Sequence, residues 1–314
     1  MTAMLTTPNA KKRPTFAAKD IVKFYLEKSP LIFHQTTEQD EEDELFDDEA
    51  AIKSWRLLPN CIRKKLRSLV YPRYDGAALH KIINKELGQN NLSDALTNVI
   101  IPTFDIKRFK PITFSSLKAQ RDKLKDARIA DVCIGTSAAP YYFPPYYFRT
   151  NVDFNLADGG LAANNPSLLA VCEVMKEQKM DARKLLILSL GTGAADERGR
   201  YEVGDPSKWG LLRWLWYSEN NGSPLIDILE TAPDEMISTN ISTIFQYCGS
   251  EDNYYRLQAE MKLSEAKMDD ASQENLNNLV KIGEVLAAKH DADLEALAQK
   301  LIKNRKARLA RISG

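Results

Sequence analysis

Glycine is scarce. Only 14 of 314 residues are glycine, about 4.5% against a usual share of roughly 7%, and the first is Gly76. Phosphate-cradling loops, oxyanion loops and nucleophile elbows all need glycine for positive φ or close backbone approach. Residues 1–75 therefore supply none of them. Cysteine is also sparse. Cys61, Cys133, Cys172 and Cys248 are widely spaced, with no Cys-x-x-Cys pair and no neighbouring histidines. That spacing speaks against a zinc site or a disulfide scaffold, and it fits a reducing compartment. No run approaches the ~18 apolar residues of a membrane span. The opening MTAMLTTPNAKKRP places its charges after a weak apolar stretch, the wrong order for a signal peptide. Net charge is absent as well: 43 Lys+Arg offset 43 Asp+Glu. No overall field draws the chain to nucleic acid or to an anionic membrane.

What is present fits a globular protein, with 44% hydrophobic and 27% charged residues. Asp20 to Lys28 reads as a short helix capped by Asp20 and stopped by Pro30. Nine of the twelve residues from Glu38 to Glu49 are acidic, and Arg63, Lys64, Lys65 and Arg67 follow. The acidic block, about residues 36–50, reads as a solvated loop. Thr97 to Ile106 and Phe154 to Ala157 read as strands, and Lys184 to Leu190 as a buried strand ending at Gly191. Helical stretches such as Asn165 to Gln178 lie between them. The alternation predicts an α/β layered sheet, whose function sits at the carboxyl ends of its strands. Further on, Ser223-Pro224 opens a helix, and Asp270 with Gln273 resembles a capping pair for another. Lys300 to Arg311 holds six cations and no acid. Placed at a helix C-terminus, they read as a solvated tail.

Three patterns bear on chemistry. Asp158-Gly159-Gly160 puts a carboxylate in a tight turn at a strand end. Such a group becomes a useful base when partial burial raises its pKa, although Asp-Gly-Gly is also a common Asx-turn that only steadies a loop. Gly135-Thr136-Ser137-Ala138-Ala139 is half of a Gly-x-Ser-x-Gly elbow. Its last glycine is replaced by Ala139, and Asp126 to Cys133 reads as helix where an elbow needs a strand. Ser137 is thus a poor substitute for a nucleophile. Tyr141, Tyr142, Phe143, Tyr146, Tyr147 and Phe148 surround Pro144-Pro145 and either line an acyl-binding wall or pack beneath the Asp158 turn. The segment from Trp209 to Trp216 has the same two readings. His34, His80 and His290 lie far apart, so a Ser-His-Asp triad has no support, and neither a metal nor a cofactor is called for.

Taken in order, FAAKDIVKFYLE (16–27), YDGAALHKIINKELG (74–88), LTNVIIPTFDIK (96–107), IGTSAAPYYFPP (134–145), LADGGLAANNPSLLAV (156–171) and LLILSLGTG (185–193) resemble the plant patatin-like lipid acyl hydrolases. The resemblance extends to about Leu286. It implies a three-layer α/β/α fold over residues 1–286, with a basic helical tail at 287–314. It also implies hydrolysis of phospholipid or galactolipid acyl esters by a Ser-Asp dyad. Asp158 would be the proton acceptor, and lipids, not nucleic acid, would be the partners. A covalent acyl-enzyme divides one difficult step into two. An oxyanion donor in such a site is worth roughly 3–4 kcal/mol. In the family, a glycine-rich oxyanion loop and the Gly-x-Ser-x-Gly elbow precede the segment that MTAMLTTPN matches. The resemblance therefore implies an N-terminally truncated fold, with the nucleophile, the oxyanion loop and at least two core strands outside these 314 residues. Asp158 would then have no serine to activate, and the chain as written would be inactive. The implied location is cytoplasmic, peripheral to membranes.

Overall fold

A computed structural model describes residues 1–34, 71–178, 181–195, 198–219 and 222–313. The expected acidic loop, Cys61 and the Arg63 to Arg67 cluster lie outside these. The chain divides into two compact units, Met1–Pro166 and Ser167–Gly314.

The first unit is built on a four-stranded antiparallel sheet. Its strands are β1 (Ile100–Asp105), β2 (Lys110–Ser115), β3 (Tyr146–Arg149) and β4 (Asp153–Ala157), in the order β2-β1-β4-β3. β1 alternates: Ile101, Thr103 and Asp105 are buried, while Ile100, Pro102 and Phe104 are half-buried. That period of two is what a strand with one well-covered face requires. Helix α1 (Thr2–Thr6), α2 (Ile21–Ile32) and α3 (Ala77–Leu87) come before the sheet in sequence, and α4 (Ser116–Arg121) leaves β2 through the cap Ser115. Helix α5 (Ile129–Thr136) lies across β1, β3 and β4. It is apolar around most of its circumference, as a helix buried on several sides must be; Ile129, Ala130, Val132 and Ile134 are at most 1% exposed. Ile129, Ala130 and Val132 join Leu92, Val99, Ile101, Phe114, Phe148 and Leu156 in the core of this unit.

Proline is tolerated in β1 for a positional reason. β4 pairs with β1 only at Phe104 and Asp105, so Pro102 lies beyond the last β1–β4 pair. Its missing N–H is no loss to that ladder.

The second unit contains α7 (Ser167–Gln178), β5 (Ile187–Leu190), β6 (Ala194–Ala195), α8 (Leu211–Leu215), α9 (Pro224–Tyr247), β7 (Tyr254–Leu257), β8 (Glu260–Met261), α10 (Gln273–Lys289) and α11 (Asp291–Ser313); α6, which precedes them in sequence, is the single turn Gly160–Ala163. β5 pairs with β7 and β6 with β8, both in parallel. Parallel partners need a long connection, which here includes α9. Arg256 on β7 ties three elements together by bonding Ser189 of β5 and both carboxylate oxygens of Asp234 on α9.

The α/β class predicted from the sequence is observed, with the helices α10 and α11 at the C-terminal end. Four details differ. Pro30 does not stop α2, which runs on to Ile32. A proline there gives up the bond its own N–H would have made to the Leu26 carbonyl and crowds that carbonyl, and the two residues after it still hold helical conformation. Asp20 does not cap that helix with its side chain, because its carboxylate accepts the Ala17 N–H at 3.1 Å. Ser272, not Asp270, caps α10 by accepting the Asn275 N–H; Asp270 holds the Ser272 N–H instead. β5 is not wholly buried: it begins at Ile187, and of its residues only Ser189 is buried. Leu286, where the resemblance ends, lies within α10.

Candidate functional site

β4 ends at Ala157 and delivers Asp158 into a turn held on three sides. The Asp158 N–H donates to the Ala138 carbonyl at 3.0 Å, and the Gly159 N–H donates to the Thr136 carbonyl at 3.3 Å. The Thr136 hydroxyl donates to the Pro102 carbonyl at 2.6 Å. Pro102, Thr136 and Gly159 thus form one contact among β1, the end of α5 and the turn. At Gly159 a β-carbon would meet the Pro102 carbonyl oxygen at 2.1 Å. That glycine is required by close approach and not by its φ, which is an ordinary −65°. Gly160 contributes through its N–H instead, which donates to Asp158 Oδ1 at 2.6 Å.

The Asp158 side chain is half-buried. Burial pushes its pKa above the ordinary carboxylate value, and the Gly160 N–H opposes the shift. The Asx-turn reading of Asp-Gly-Gly is seen directly, and the shift has the direction that the base reading requires. The carboxylate makes the Asx-type bond that steadies its own loop, and among the described residues it accepts no other hydrogen bond. Partial burial without a cationic partner makes it a stronger proton acceptor than an aspartate in water.

Ser137 follows the last residue of α5, with φ −103° and ψ 6°. Its N–H donates to the Ile134 carbonyl and its carbonyl accepts the Ala139 N–H. The neighbouring Ala138 bonds Asp158, so the fold brings Ser137 beside the turn. Among the described residues, however, no hydrogen bond joins the two side chains. A helix enters Ser137 and no helix leaves it, which reverses the strand-to-helix order of an elbow.

The aromatic run divides by residue. Phe148 stacks on Phe154 at 5.0 Å within the core. Phe143 packs on Tyr74 and Phe33. Tyr146 donates its hydroxyl to Asp131, which Arg128 also holds by two bonds; burial, then that hydrogen bond, pushes the Tyr146 pKa up to about 12. Tyr141 and Tyr147 are exposed. Packing thus accounts for half of the run. Around Trp209 the outcome is different: Arg213 lies over the rings of Trp209 and Tyr217, while Leu211 and Leu212 stay exposed.

His80 packs edge-on against Tyr146 at 5.3 Å, and burial lowers its pKa against the opposing pull of Asp75. His290 bonds Asp293. No hydrogen bond links a described histidine to Asp158. Among the described residues no cluster of three His, Cys, Asp or Glu side chains could hold a metal ion, and no helix is long and apolar enough to cross a membrane. Sequence reasoning missed Pro102 and Thr136 as supports of the turn. The only signal available was a proline inside a strand and a threonine at the end of a helix.

Comparison with known proteins bears on this site. Residues 31–171, which include the Asp158 turn, match the family model described as patatin-like phospholipase. Patatin-like protein 2 of Oryza sativa subsp. indica is 39% identical over 92% of this chain and 71% of its own length. Patatin-like protein 4 of Arabidopsis thaliana is 40% identical over 91% of this chain and 70% of its own. A Solanum tuberosum protein named probable inactive patatin-3-Kuras 1 is 36% identical over 92% of this chain and 72% of its own.

Proposed function

The chain belongs to the patatin-like phospholipase family, and from that premise we propose that it carries the proton-acceptor half of a site that hydrolyses lipid acyl esters. The observation that supports this most is the half-buried Asp158 carboxylate, fixed at a strand end with a raised pKa and no cationic partner. In the proposed reaction Asp158 takes the hydroxyl proton of a serine as its oxygen attacks the acyl carbon. It then passes that proton to the departing lyso-lipid oxygen as the ester C–O bond breaks. A water attacks the acyl-serine, gives its proton to Asp158, and the proton returns to the serine as the fatty acid leaves. One carboxylate serves both halves because each half begins and ends with it ionised.

The 314 residues contain no Gly-x-Ser-x-Gly sequence. Our reading is that they lack the nucleophile and do not turn over by themselves. Treating residues 1–314 with a serine-directed fluorophosphonate should give no labelling, and phosphatidylcholine and monogalactosyldiacylglycerol should remain intact. Labelling abolished by Ser137→Ala would overturn this and make Ser137 the nucleophile. A second reading, a non-catalytic lipid-binding protein, is favoured by the same missing motif and by the likeness to a relative whose name marks it as inactive.

A further inference from the structure

The end of α11 carries a charge that nothing near it in sequence balances. From Lys300 to Arg311 the sequence holds Lys300, Lys303, Arg305, Lys306, Arg308 and Arg311 without one acid, in a chain whose overall charge is zero. Leu297 and Lys300 anchor the helix before this stretch. Leu297 is 5% exposed, and Lys300 bonds the Asp252 carbonyl and lies over the Tyr255 ring. Beyond it, residues 301–310 are all exposed. Among the described residues Lys303, Arg305, Lys306 and Arg308 form no ion pair.

Favourable interaction with the helix dipole reaches only the last turn, so it does not account for cations spread over three. The apolar residues point to a different use. Leu301, Ile302 and Leu309 are 54%, 46% and 54% exposed. At about 100° per residue they fall within one arc of roughly 100°. Arg308 and Lys306 flank this arc and Arg305 lies inside it. Long cationic side chains at the margin of an apolar stripe can lay their stems along it and carry their charges outward to headgroups. An interface that covers this exposed stripe would add burial that the stripe does not have in water.

We propose that residues 301–313 are an interfacial docking helix for an anionic lipid surface. The cations meet the headgroup charge, and Leu301, Ile302 and Leu309 enter the acyl boundary. A nucleic acid would satisfy the cations but would leave the apolar arc in water. This reading goes beyond the solvated tail expected from the sequence, with which the exposure of residues 301–310 agrees. It stands apart from the catalytic proposal, because binding can be measured without turnover.

The test uses the whole 314-residue chain and co-sedimentation with vesicles of phosphatidylcholine alone or containing about 30% phosphatidylserine, the anionic lipid that such clusters recognise. Binding should require phosphatidylserine and weaken as salt rises. Exchanging Lys303, Arg305, Lys306 and Arg308 together for Glu should lower affinity on the order of a hundredfold or more. Exchanging Leu301, Ile302 and Leu309 for Ser should remove the binding that survives high salt. An unchanged thermal midpoint separates lost docking from lost folding. Should the Glu variant unfold, Gln at the same four positions carries the test. Equal binding to pure phosphatidylcholine, wild-type affinity in the four-site variant, no binding at all, or tighter binding to a DNA duplex than to the anionic vesicles would each overturn the proposal.

Discussion

Gly159 approaches Pro102 so closely that a β-carbon on residue 159 would stand 2.1 Å from the Pro102 carbonyl oxygen and 2.9 Å from Thr136 Oγ1. The turn that presents Asp158 is therefore seated on the backbone of β1, and no side-chain rearrangement can relieve an added atom there. Gly135 offers a comparison: its β-carbon would meet Leu156 Cδ1 at 2.5 Å and Cβ at 3.0 Å, atoms of a side chain and not of the backbone. Gly159→Ala should cost about 2–3 kcal/mol by overpacking. Gly135→Ala should cost less, because alanine regains up to about 1 kcal/mol of helix propensity. Urea unfolding of the two variants measures the difference. Equal losses would show that backbone approach is not what holds residue 159 to glycine.

Asp158 should make the protein less stable as pH rises. Its pKa in the folded chain is raised, chiefly by burial, so the folded state keeps the proton to a higher pH than the unfolded state does. Below the ordinary carboxylate range both states are protonated and the group contributes nothing. As pH climbs from the unfolded value through the folded one, stability is lost, and above the folded value the loss is complete. Asparagine at 158 can still accept the Gly160 N–H and carries no charge. Asp158→Asn should thus raise the thermal midpoint at neutral pH and leave it unchanged near about pH 3. A variant less stable than the parent at neutral pH would mean that the ionised carboxylate contributes an interaction outweighing its burial.

The parts of this site that were legible in the sequence are those set by local chemistry. The strand before Asp158 shows in the β-rich run Phe154 to Ala157, and the turn shows in its two glycines. Helix α9 shows in Ser223-Pro224, with Pro224 in the first turn as its fixed φ allows. What could not be read was set by contacts between distant segments. Nothing near Pro102 in sequence tells that its carbonyl will receive Thr136 from a residue 34 positions away. Likewise, the aromatic run gave no sign that Phe148 would enter the core while its neighbour Tyr147 stayed outside. The alternation of β3 decides that, and only the pairing of Phe148 with Phe154 fixes its phase.

An ion pair braces the turn between β1 and β2. Asp105 has no exposed surface, and its carboxylate accepts from Arg108 Nη1 at 2.6 Å and from the Arg108 N–H at 2.9 Å. Arg108→Ala would leave that carboxylate buried with a single backbone partner. Breaking a fully buried pair costs about 3–5 kcal/mol; because the Arg108 side chain remains 35% exposed, about 2–3 kcal/mol is expected after allowing for solvent screening. Asp105→Asn should cost less, since it removes the charge together with its need for a partner. Denaturant unfolding of both single variants and the double variant would show a coupling above about 0.5 kcal/mol. Strict additivity would mean that the two side chains act independently.

The assignment of Asp158 as base makes its sharpest prediction when a nucleophile is supplied. Joining the Gly-x-Ser-x-Gly-bearing segment of an active patatin-like relative ahead of Met1 should produce esterase activity that fluorophosphonate abolishes. In that chimera Asp158→Asn should reduce kcat by about a hundredfold to ten-thousandfold, the range of a general base, while Ser137→Ala should leave it near the parent value. The pH profile adds a constraint. The base must be ionised to act, so activity should fall toward acid through a pKa above the ordinary carboxylate value, in the direction burial gives Asp158. A fall confined to the ordinary carboxylate range would contradict the burial of the acting group. Undiminished turnover in Asp158→Asn would transfer the role of base to another residue and reduce the Asp158 turn to its Asx function alone.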